Sequence, residues 1–220
     1  MEAFTTLRGP AAPLMRANID TGTMIASVWM RSTSFDLGEK LFHDWRYDLD
    51  GKENPAFVLN QSRFRNSRIL VAGPFFGCGS SREGAVWALQ KFGIRCVIAP
   101  SFGEIFFDNA LQNGLLLVTL SDDETRRLAT SLEAAQEPLV EVDLINCVVE
   151  GPDGARYGFE IPPDRRTVLL EGLDETSLIL RYQPEIRAFQ MKSSEAFPWI
   201  YARPSQGAEN ETRPAGQATP

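Results

Sequence analysis

A cluster of glycine, serine and charged residues at positions 77–84 is the part of the sequence best suited to chemistry. Its members are Gly77, Gly79, Ser80, Ser81, Arg82, Glu83 and Gly84. Glycine lets a backbone turn sharply and approach a ligand closely, and serine hydroxyls donate hydrogen bonds. The planar guanidinium of arginine matches a carboxylate. The cluster therefore predicts a binding site for an anion with several oxygen atoms, either a phosphate or a carboxylate.

The cluster follows a predicted buried strand at 68–72 and opens a predicted helix at 82–92. The first N–H groups of a helix have no partner within the helix, and the helix dipole adds attraction for an anion. The pattern is not a Walker A motif, because no lysine follows the glycines, and it lacks the third glycine of GxGxxG at position 82. The simpler alternative is a tight turn in which Ser80 or Ser81 only caps the helix.

Two residue types in the cluster could react with a substrate. A serine, Ser80 or Ser81, could act as a base if Arg82 and the helix N–H groups stabilise its alkoxide. A thiolate at Cys78 is the alternative, since a helix N-terminus can activate a cysteine. The thiolate is less favoured because no second cysteine lies close in sequence and His43 is the one histidine of the chain.

The residues from 68 to 135 alternate between strand and helix patterns. Strands are predicted at 68–72, 96–99 and 115–120, and helices at 82–92, 101–113 and 121–135. Ser101 with Glu104, and Ser121 with Glu124, have the spacing of capping boxes, and Gly114 is placed to end the second helix. This alternation predicts a parallel sheet flanked by helices, and such sheets bind ligands at the carboxyl ends of their strands.

The flanking regions have other patterns. Two further strands, 139–149 and 156–161, are separated by a Gly-Pro-Asp-Gly turn at 151–154 and predict a β-hairpin. Short helices are expected over 163–190, and an aromatic-rich loop with a functional role is expected over 32–51. We expect one domain over residues 1–200 and a disordered tail over 201–220, where proline, glycine and polar residues dominate.

Composition and charge exclude several classes of protein. The chain has 220 residues, of which 43% are apolar, and a net charge of −7. The acidic balance argues against nucleic acid or an anionic membrane as the main partner. Three unpaired cysteines (Cys78, Cys96 and Cys147) fit a reduced, cytoplasmic protein and do not form a metal site by themselves. The N-terminus resembles no signal peptide, and no apolar run is long enough to span a membrane.

Specific motifs identify a family resemblance. The sequence GCGSSRE at 77–83, the run IAPSFGEIF at 98–106, Asn-Ile-Asp-Thr at 18–21 and Asp-Trp-Arg at 44–46 occur together. Over about residues 5–190, the chain resembles the small subunits of 3-isopropylmalate dehydratase, a branch of the aconitase family.

The resemblance implies a fold, a partner and a set of roles. The fold would be an α/β, aconitase-type swivelling β/β/α domain. The chain would bind no cofactor itself, because a separate large subunit would carry a 4Fe–4S iron–sulfur cluster. A small diacid substrate would lie between the subunits. By position in the motif, Ser80 would be the catalytic base, and Ser81 and Arg82, with Gly79 and Thr21 beside them, would bind a substrate carboxylate.

The sequence departs from the family pattern at three places. Gly22 stands where the family has a second aspartate, Ser34 where it has an arginine, and Gly84 where it has a histidine. Asp36 would repel a carboxylate, and Arg31 is the nearest substitute for the missing arginine. Three alternatives that involve a large subunit stay open: a 3-isopropylmalate dehydratase subunit, a hydro-lyase subunit for another 2-substituted malate or maleate, and a catalytically inactive partner of the large subunit. A free-standing phosphate-binding protein is a fourth.

Overall fold

The computed structural model describes residues 1–31, 35–79 and 82–201. The chain divides into two compact units, Met1–Leu178 and Ile179–Pro220. Within the described residues, no helix has both the length and the hydrophobicity that crossing a bilayer requires.

The first unit is built on one seven-stranded sheet. Its strands are β1 (Thr6–Leu14), β2 (Ile69–Ala72), β3 (Cys96–Ala99), β4 (Leu116–Thr119), β5 (Leu139–Asp143), β6 (Val148–Glu150) and β7 (Arg156–Gly158). Their order in the sheet is β4-β3-β2-β1-β5-β6-β7. The pairs from β1 to β4 are parallel, whereas β5, β6 and β7 pair antiparallel with each other and with β1.

Strand β1 joins the parallel and antiparallel parts of the sheet. Its second half, from Ala11 to Leu14, pairs with β2, while its first half, from Thr6 to Pro10, pairs with β5. At nine residues it is long enough to serve both. The carboxyl ends of β1 and β2 therefore lie next to each other at one edge of the sheet, and the chain segments that leave these ends start side by side.

The described residues also form helices and turns. The helices are α1 (Thr21–Met24), α2 (Leu37–Lys40), α3 (His43–Arg46), α4 (Glu83–Phe92), α5 (Glu104–Gln112), α6 (Asp122–Ala134), α7 (Pro163–Glu171), α8 (Glu175–Leu180), α9 (Gln183–Ala196) and α10 (Pro198–Tyr201). Two 3-10 turns, Ser27–Arg31 and Val58–Asn60, precede α2 and β2.

The central strands separate two hydrophobic cores. Every residue of β2 and β3 is buried, and neighbouring residues point to opposite faces. Leu70 and Val97 pack into a core with α1, α4 and the aromatic residues of the 41–64 region. Ile69 and Ile98 pack into a second core with α6, α7 and the antiparallel strands. The continuous apolar runs that predicted buried parallel strands are explained by this arrangement.

The sequence predictions for residues 68–135 are confirmed, with one exception. The six elements from β2 to α6 occur in the predicted order, Ser121 and Glu124 form a capping box, and Gly114 follows the end of α5 with φ +77°. The predicted capping box at Ser101 is wrong, because α5 begins after Gly103 without a side-chain cap. The Ser101 hydroxyl instead accepts a hydrogen bond from the backbone N–H of Phe75 at 2.9 Å.

Two predictions outside this region need correction. The predicted single strand over 139–149 is two strands, β5 and β6, because the chain turns at Asp143, whose carboxylate accepts hydrogen bonds from Asn146. The hairpin at 151–154 is confirmed and joins β6 to β7. In the predicted loop over 32–51, the described residues 35–51 contain two single-turn helices, α2 and α3.

The capping box of α6 gives a test of the stability argument. Ser121→Ala removes the hydroxyl that receives the Glu124 N–H, so we expect the free energy of unfolding to fall by about 1 kcal/mol. The melting temperature should fall by about 2–4 °C. Ser131→Ala is the control, because the Ser131 hydroxyl only donates to the carbonyl oxygen of Leu128 within the same helix. Equal losses in both variants would contradict the capping argument.

Candidate functional site

The candidate site forms where the segments after β1 and β2 meet. The backbone N–H of Gly77 donates to the carbonyl oxygen of Ile19 at 2.8 Å, and the N–H of Thr21 donates to the carbonyl oxygen of Cys78 at 3.0 Å. A parallel bridge also pairs Asp20 with Cys78. These contacts bring Thr21 and the 77–79 turn together, although more than 50 residues separate them in sequence.

Glycine is required at two positions of the turn. Gly77 has φ +75° and Gly79 has φ +90°, in the left-handed region that side chains disfavour. A Cβ added at Gly77 would overlap the ring of Phe106, and one at Gly79 would lie 3.4 Å from the Cβ of Asp20. The GxG spacing thus serves a sharp turn that is packed between α5 and the segment after β1.

Arg82 lies immediately before helix α4, in an extended backbone conformation. Its Nη1 atom donates to the carbonyl oxygen of Ile25 at 3.3 Å, which directs the guanidinium towards the segment after β1. Ser80 and Ser81 lie outside the described residues, so their predicted roles stay predictions. Gly79 is exposed, whereas Thr21 is only 1% exposed and stands at the start of α1.

Asp20 is an ionised group at the edge of the site. Burial opposes its ionisation, but hydrogen bonds from the Thr23 hydroxyl and from the backbone N–H groups of Thr23 and Gly22 outweigh this and lower the pKa of the carboxyl. The carboxylate caps α1, with Oδ1 2.9 Å from the Thr23 nitrogen and Oδ2 2.8 Å from the Thr23 hydroxyl. Asp20 therefore orders the segment after β1.

The environment of Cys78 disfavours thiolate chemistry. Burial and the negative charge of Asp20 both raise the pKa of the Cys78 thiol. A nucleophilic cysteine needs the opposite shift. Cys78 is therefore a protonated thiol near neutral pH, and the serine alternative is favoured.

The structure shows what occupies the space at Gly22. A Cβ at this position would lie 2.9 Å from Oδ1 of Asp20 and 3.6 Å from Nη1 of Arg82. An aspartate here would approach the guanidinium but would also face the carboxylate of Asp20.

Gly84 has a specific packing partner. It is buried in the first turn of α4, and a Cβ added there would overlap the sulfur of Met30. The 3-10 turn Ser27–Arg31 thus places the Met30 side chain where a residue at position 84 would extend. The departure at Gly84 is coupled to a second residue, which the sequence alone did not indicate.

The acidic residue at position 36 has a local role. The carboxylate of Asp36 accepts a hydrogen bond from the backbone N–H of Gly38 at 2.8 Å and caps α2. Arg31, the suggested substitute for the missing arginine, is exposed at the end of its 3-10 turn. Ser34 lies outside the described residues.

Arg46, the arginine of the Asp-Trp-Arg motif, has buried contacts that the sequence did not predict. It is only 6% exposed and donates to Oδ1 of Asn60 at 3.1 Å and to the carbonyl oxygen of Glu39 at 3.2 Å. Its guanidinium also lies 5.0 Å from the Phe92 ring at the end of α4. Arg46 therefore ties α2 to α4. No spacing in the sequence indicates these contacts, because its partners are distant in sequence or are backbone atoms.

The described residues contain no group of three or more histidine, cysteine, aspartate or glutamate side chains that could hold a metal ion. Among the described residues, the candidate site consists of the first backbone N–H groups of α4, Arg82 and the adjoining turn. It can bind an oxyanion and can stabilise a negative charge that develops close to it.

Comparisons with known proteins bear on the family of the chain. The profile of the Aconitase C-terminal domain matches residues 1–123. The chain is 46% identical to a "3-isopropylmalate dehydratase small subunit" of Paramagnetospirillum magneticum, over 91% of this chain and 100% of the relative. It is 45% identical to the protein of the same name from Dinoroseobacter shibae, with the same coverage.

The fold is also that of a solved structure. A crystal structure of 3-isopropylmalate dehydratase (leuD) from Methanocaldococcus jannaschii matches with a TM-score of 0.57, covering 86% of this chain and 99% of that chain. At 24% identity, this similarity supports the fold alone. The sequence relatives and the domain profile decide the family: the chain belongs to the small subunits of 3-isopropylmalate dehydratase, within the aconitase family.

Proposed function

We propose that the chain is the small subunit of a 3-isopropylmalate dehydratase, a hydro-lyase that converts 2-isopropylmalate to 3-isopropylmalate by loss and re-addition of water in leucine biosynthesis. The observation that carries this proposal is the meeting of the segments after β1 and β2, which sets the turn at Gly79 and the guanidinium of Arg82 beside Asp20 and Gly22. Relatives of 46% and 45% identity over almost the whole chain support the same activity.

Arg82 and the start of α4 bind one carboxylate of the substrate in this proposal. The guanidinium offers two parallel N–H donors, and the first N–H groups of the ten-residue helix α4 have no partner within the helix. Position 22 is glycine, so no side chain of that residue stands between Nη1 of Arg82 and the Asp20 carboxylate. Ser81 adds a hydroxyl donor, in line with its place in the motif.

Ser80 is the proposed base that removes a proton from carbon. A serine hydroxyl is a weak acid, so its alkoxide needs positive surroundings, which Arg82 and the start of α4 supply. The Asp20 carboxylate accepts hydrogen bonds from the Thr23 N–H and hydroxyl and serves as the cap of α1.

The proposal includes a large subunit that carries a 4Fe–4S cluster and a diacid substrate that lies between the subunits. The three free cysteines of this chain, Cys78, Cys96 and Cys147, are not grouped with other ligands among the described residues. A cluster on the partner would supply a Lewis acid for the leaving hydroxyl group.

The free thiols also fit a cytoplasmic location, and the net charge of −7 does not fit nucleic acid as a partner. One swivelling domain over 1–200 is also part of the proposal, whereas the disordered tail predicted over 201–220 lies outside the described residues, apart from Tyr201.

A second candidate is a hydro-lyase subunit for another 2-substituted malate or maleate. The pairing of Gly84 with Met30 favours it, because a thioether now stands at the start of α4 where the family has a histidine. The same reaction on a different diacid would use the same base and the same carboxylate contact.

Turnover by the assembled complex tests the proposal. The chain is produced with the large subunit encoded nearest to its gene, the cluster is reconstituted without oxygen, and formation of the alkene intermediate is followed with 2-isopropylmalate, citramalate and 2,3-dimethylmalate. We expect the highest kcat/KM for 2-isopropylmalate and a loss of about 100-fold or more in Ser80→Ala.

Each other outcome has a defined meaning. A preference for citramalate or dimethylmalate would contradict the leucine-pathway assignment and support the second candidate. Unchanged turnover in Ser80→Ala would contradict the base assignment. A well-formed complex without turnover on any diacid would support a catalytically inactive partner.

The pairing of Gly84 with Met30 predicts a coupled stability effect. In a Met30→Ala background, Gly84→Ala should stabilise the chain by about 0.5–1 kcal/mol, the usual gain for replacing glycine inside a helix. In the wild-type background the gain should shrink or reverse, because the new methyl group overlaps the Met30 sulfur. Urea unfolding of the four variants measures the coupling. Equal effects of Gly84→Ala in both backgrounds would contradict the packing seen here. The substitution Gly84→His, which restores the family histidine, should therefore be made together with Met30→Ala.

A further inference from the structure

Phe75 has an unusual backbone conformation directly before the glycine-rich turn. Its φ is +59°, in the left-handed region that bulky residues avoid. The conformation is firmly held, because the Phe75 N–H donates to the Ser101 hydroxyl at 2.9 Å and the neighbouring Phe76 N–H donates to the Ser101 carbonyl oxygen at 3.0 Å. A strained conformation persists where the surrounding structure enforces it, and such residues concentrate at functional sites.

The strain at Phe75 is not offset by burial within the chain. Phe42 is the other aromatic residue with positive φ among the described residues, at +50°, and it is completely buried and stacked on Trp45. Phe75, in contrast, is 49% exposed. The fold therefore fixes an aromatic ring in a costly conformation and leaves half of it in solvent.

Other apolar side chains lie along the same edge of the sheet. Phe76 pairs with Phe102, so the segment 101–103 runs beside the segment 75–77. Two residues farther along, in the first turn of α5, Ile105 is 52% exposed. We call Phe75, Phe102 and Ile105 the Phe75 surface. An exposed aromatic residue on a rigid backbone, with apolar neighbours, is typical of the anchors that dominate protein interfaces.

The position of the Phe75 surface selects its partner. Phe75 is four residues before Gly79, and both belong to the segment that leaves β2 at the carboxyl edge of the sheet. In the proposed function, the large subunit must cover this edge to complete the site over Gly79 and Arg82. Because both residues are exposed on this short segment, we expect a partner that covers Gly79 to meet Phe75 as well.

We propose that Phe75 is an anchor residue through which this chain docks on its large subunit, with the ring entering an apolar pocket of that subunit. The inference rests on the proposed function, because it takes the large subunit as the partner. The ring then becomes buried in the complex, and the strain that is present in the free chain is offset by association.

Phe75→Asn separates docking from a structural role. Asparagine adopts the left-handed conformation more readily than phenylalanine. The free chain should therefore melt about 2–4 °C higher, whereas the Kd for the large subunit, measured by calorimetry or analytical ultracentrifugation, should rise at least about tenfold. These opposite changes are not expected of a residue whose ring only stabilises the fold.

Two matched variants serve as controls. Ile145→Asn removes a side chain of similar exposure, 51%. Ile145 follows Leu144, which pairs with Thr5 at the start of β1, whereas the site lies at the carboxyl end of β1. This variant should therefore leave the Kd unchanged. Phe75→Tyr keeps the ring and the backbone strain, and it should keep the wild-type Kd within about threefold.

Two results would overturn the docking proposal. One is an unchanged Kd in Phe75→Asn; if the KM is raised at the same time, the ring lies against substrate instead. The other is a lower melting temperature of the free Phe75→Asn chain. If the wild-type chain does not bind the large subunit at all, the proposed function itself fails. If the wild-type chain and Phe75→Asn bind it equally, only the docking proposal fails.

Discussion

The backbone pairing between residues 19–21 and 77–78 is the constraint on which the site depends. It exists because β1 and β2 are parallel neighbours, so their carboxyl ends open at the same edge of the sheet. The left-handed glycine at position 77 allows the close approach, since a side chain there would overlap Phe106. If this pairing were lost, Arg82 would no longer be held beside Gly22, and the anion site would not form.

The charges around the turn are divided between structural and binding roles. Asp20 and Asp36 are both used to cap short helices, and the hydrogen bonds of Asp20 lower the pKa of its carboxyl. Arg82 is the cation beside Gly22, where a Cβ would lie 3.6 Å from its Nη1 atom, and it is the proposed ligand of the substrate carboxylate. The departures from the family pattern therefore do not fill the site with acidic groups. They change the residues that line it, because position 22 has no side chain and the Met30 side chain packs against Gly84.

The sequence predicted much of the sheet but not the contacts that complete the site. Residues 68–135 were predictable because each strand is a short apolar run and each helix has a periodic apolar face, so local pattern and tertiary burial agree. The antiparallel pairing of β1 with β5 could not be read in this way, because it joins residues more than 120 positions apart. Ser101 was misread as a cap because its hydroxyl is used by Phe75, a contact that no local spacing signals. The family motif indicated Arg82 and Gly79, whereas the role of Met30 required the packing around Gly84.

Steady-state kinetics of Arg82→Ala in the assembled complex show whether Arg82 holds a carboxylate of the substrate. Arg126→Ala on the exposed face of α6 is the control for loss of an arginine elsewhere. In complexes that assemble normally, we expect kcat/KM for 2-isopropylmalate to fall about 10- to 100-fold in Arg82→Ala, the usual loss for a hydrogen bond to a charged group. In Arg126→Ala, kcat/KM should stay unchanged. A kcat/KM for Arg82→Ala within about twofold of wild type would show that Arg82 does not hold the substrate carboxylate.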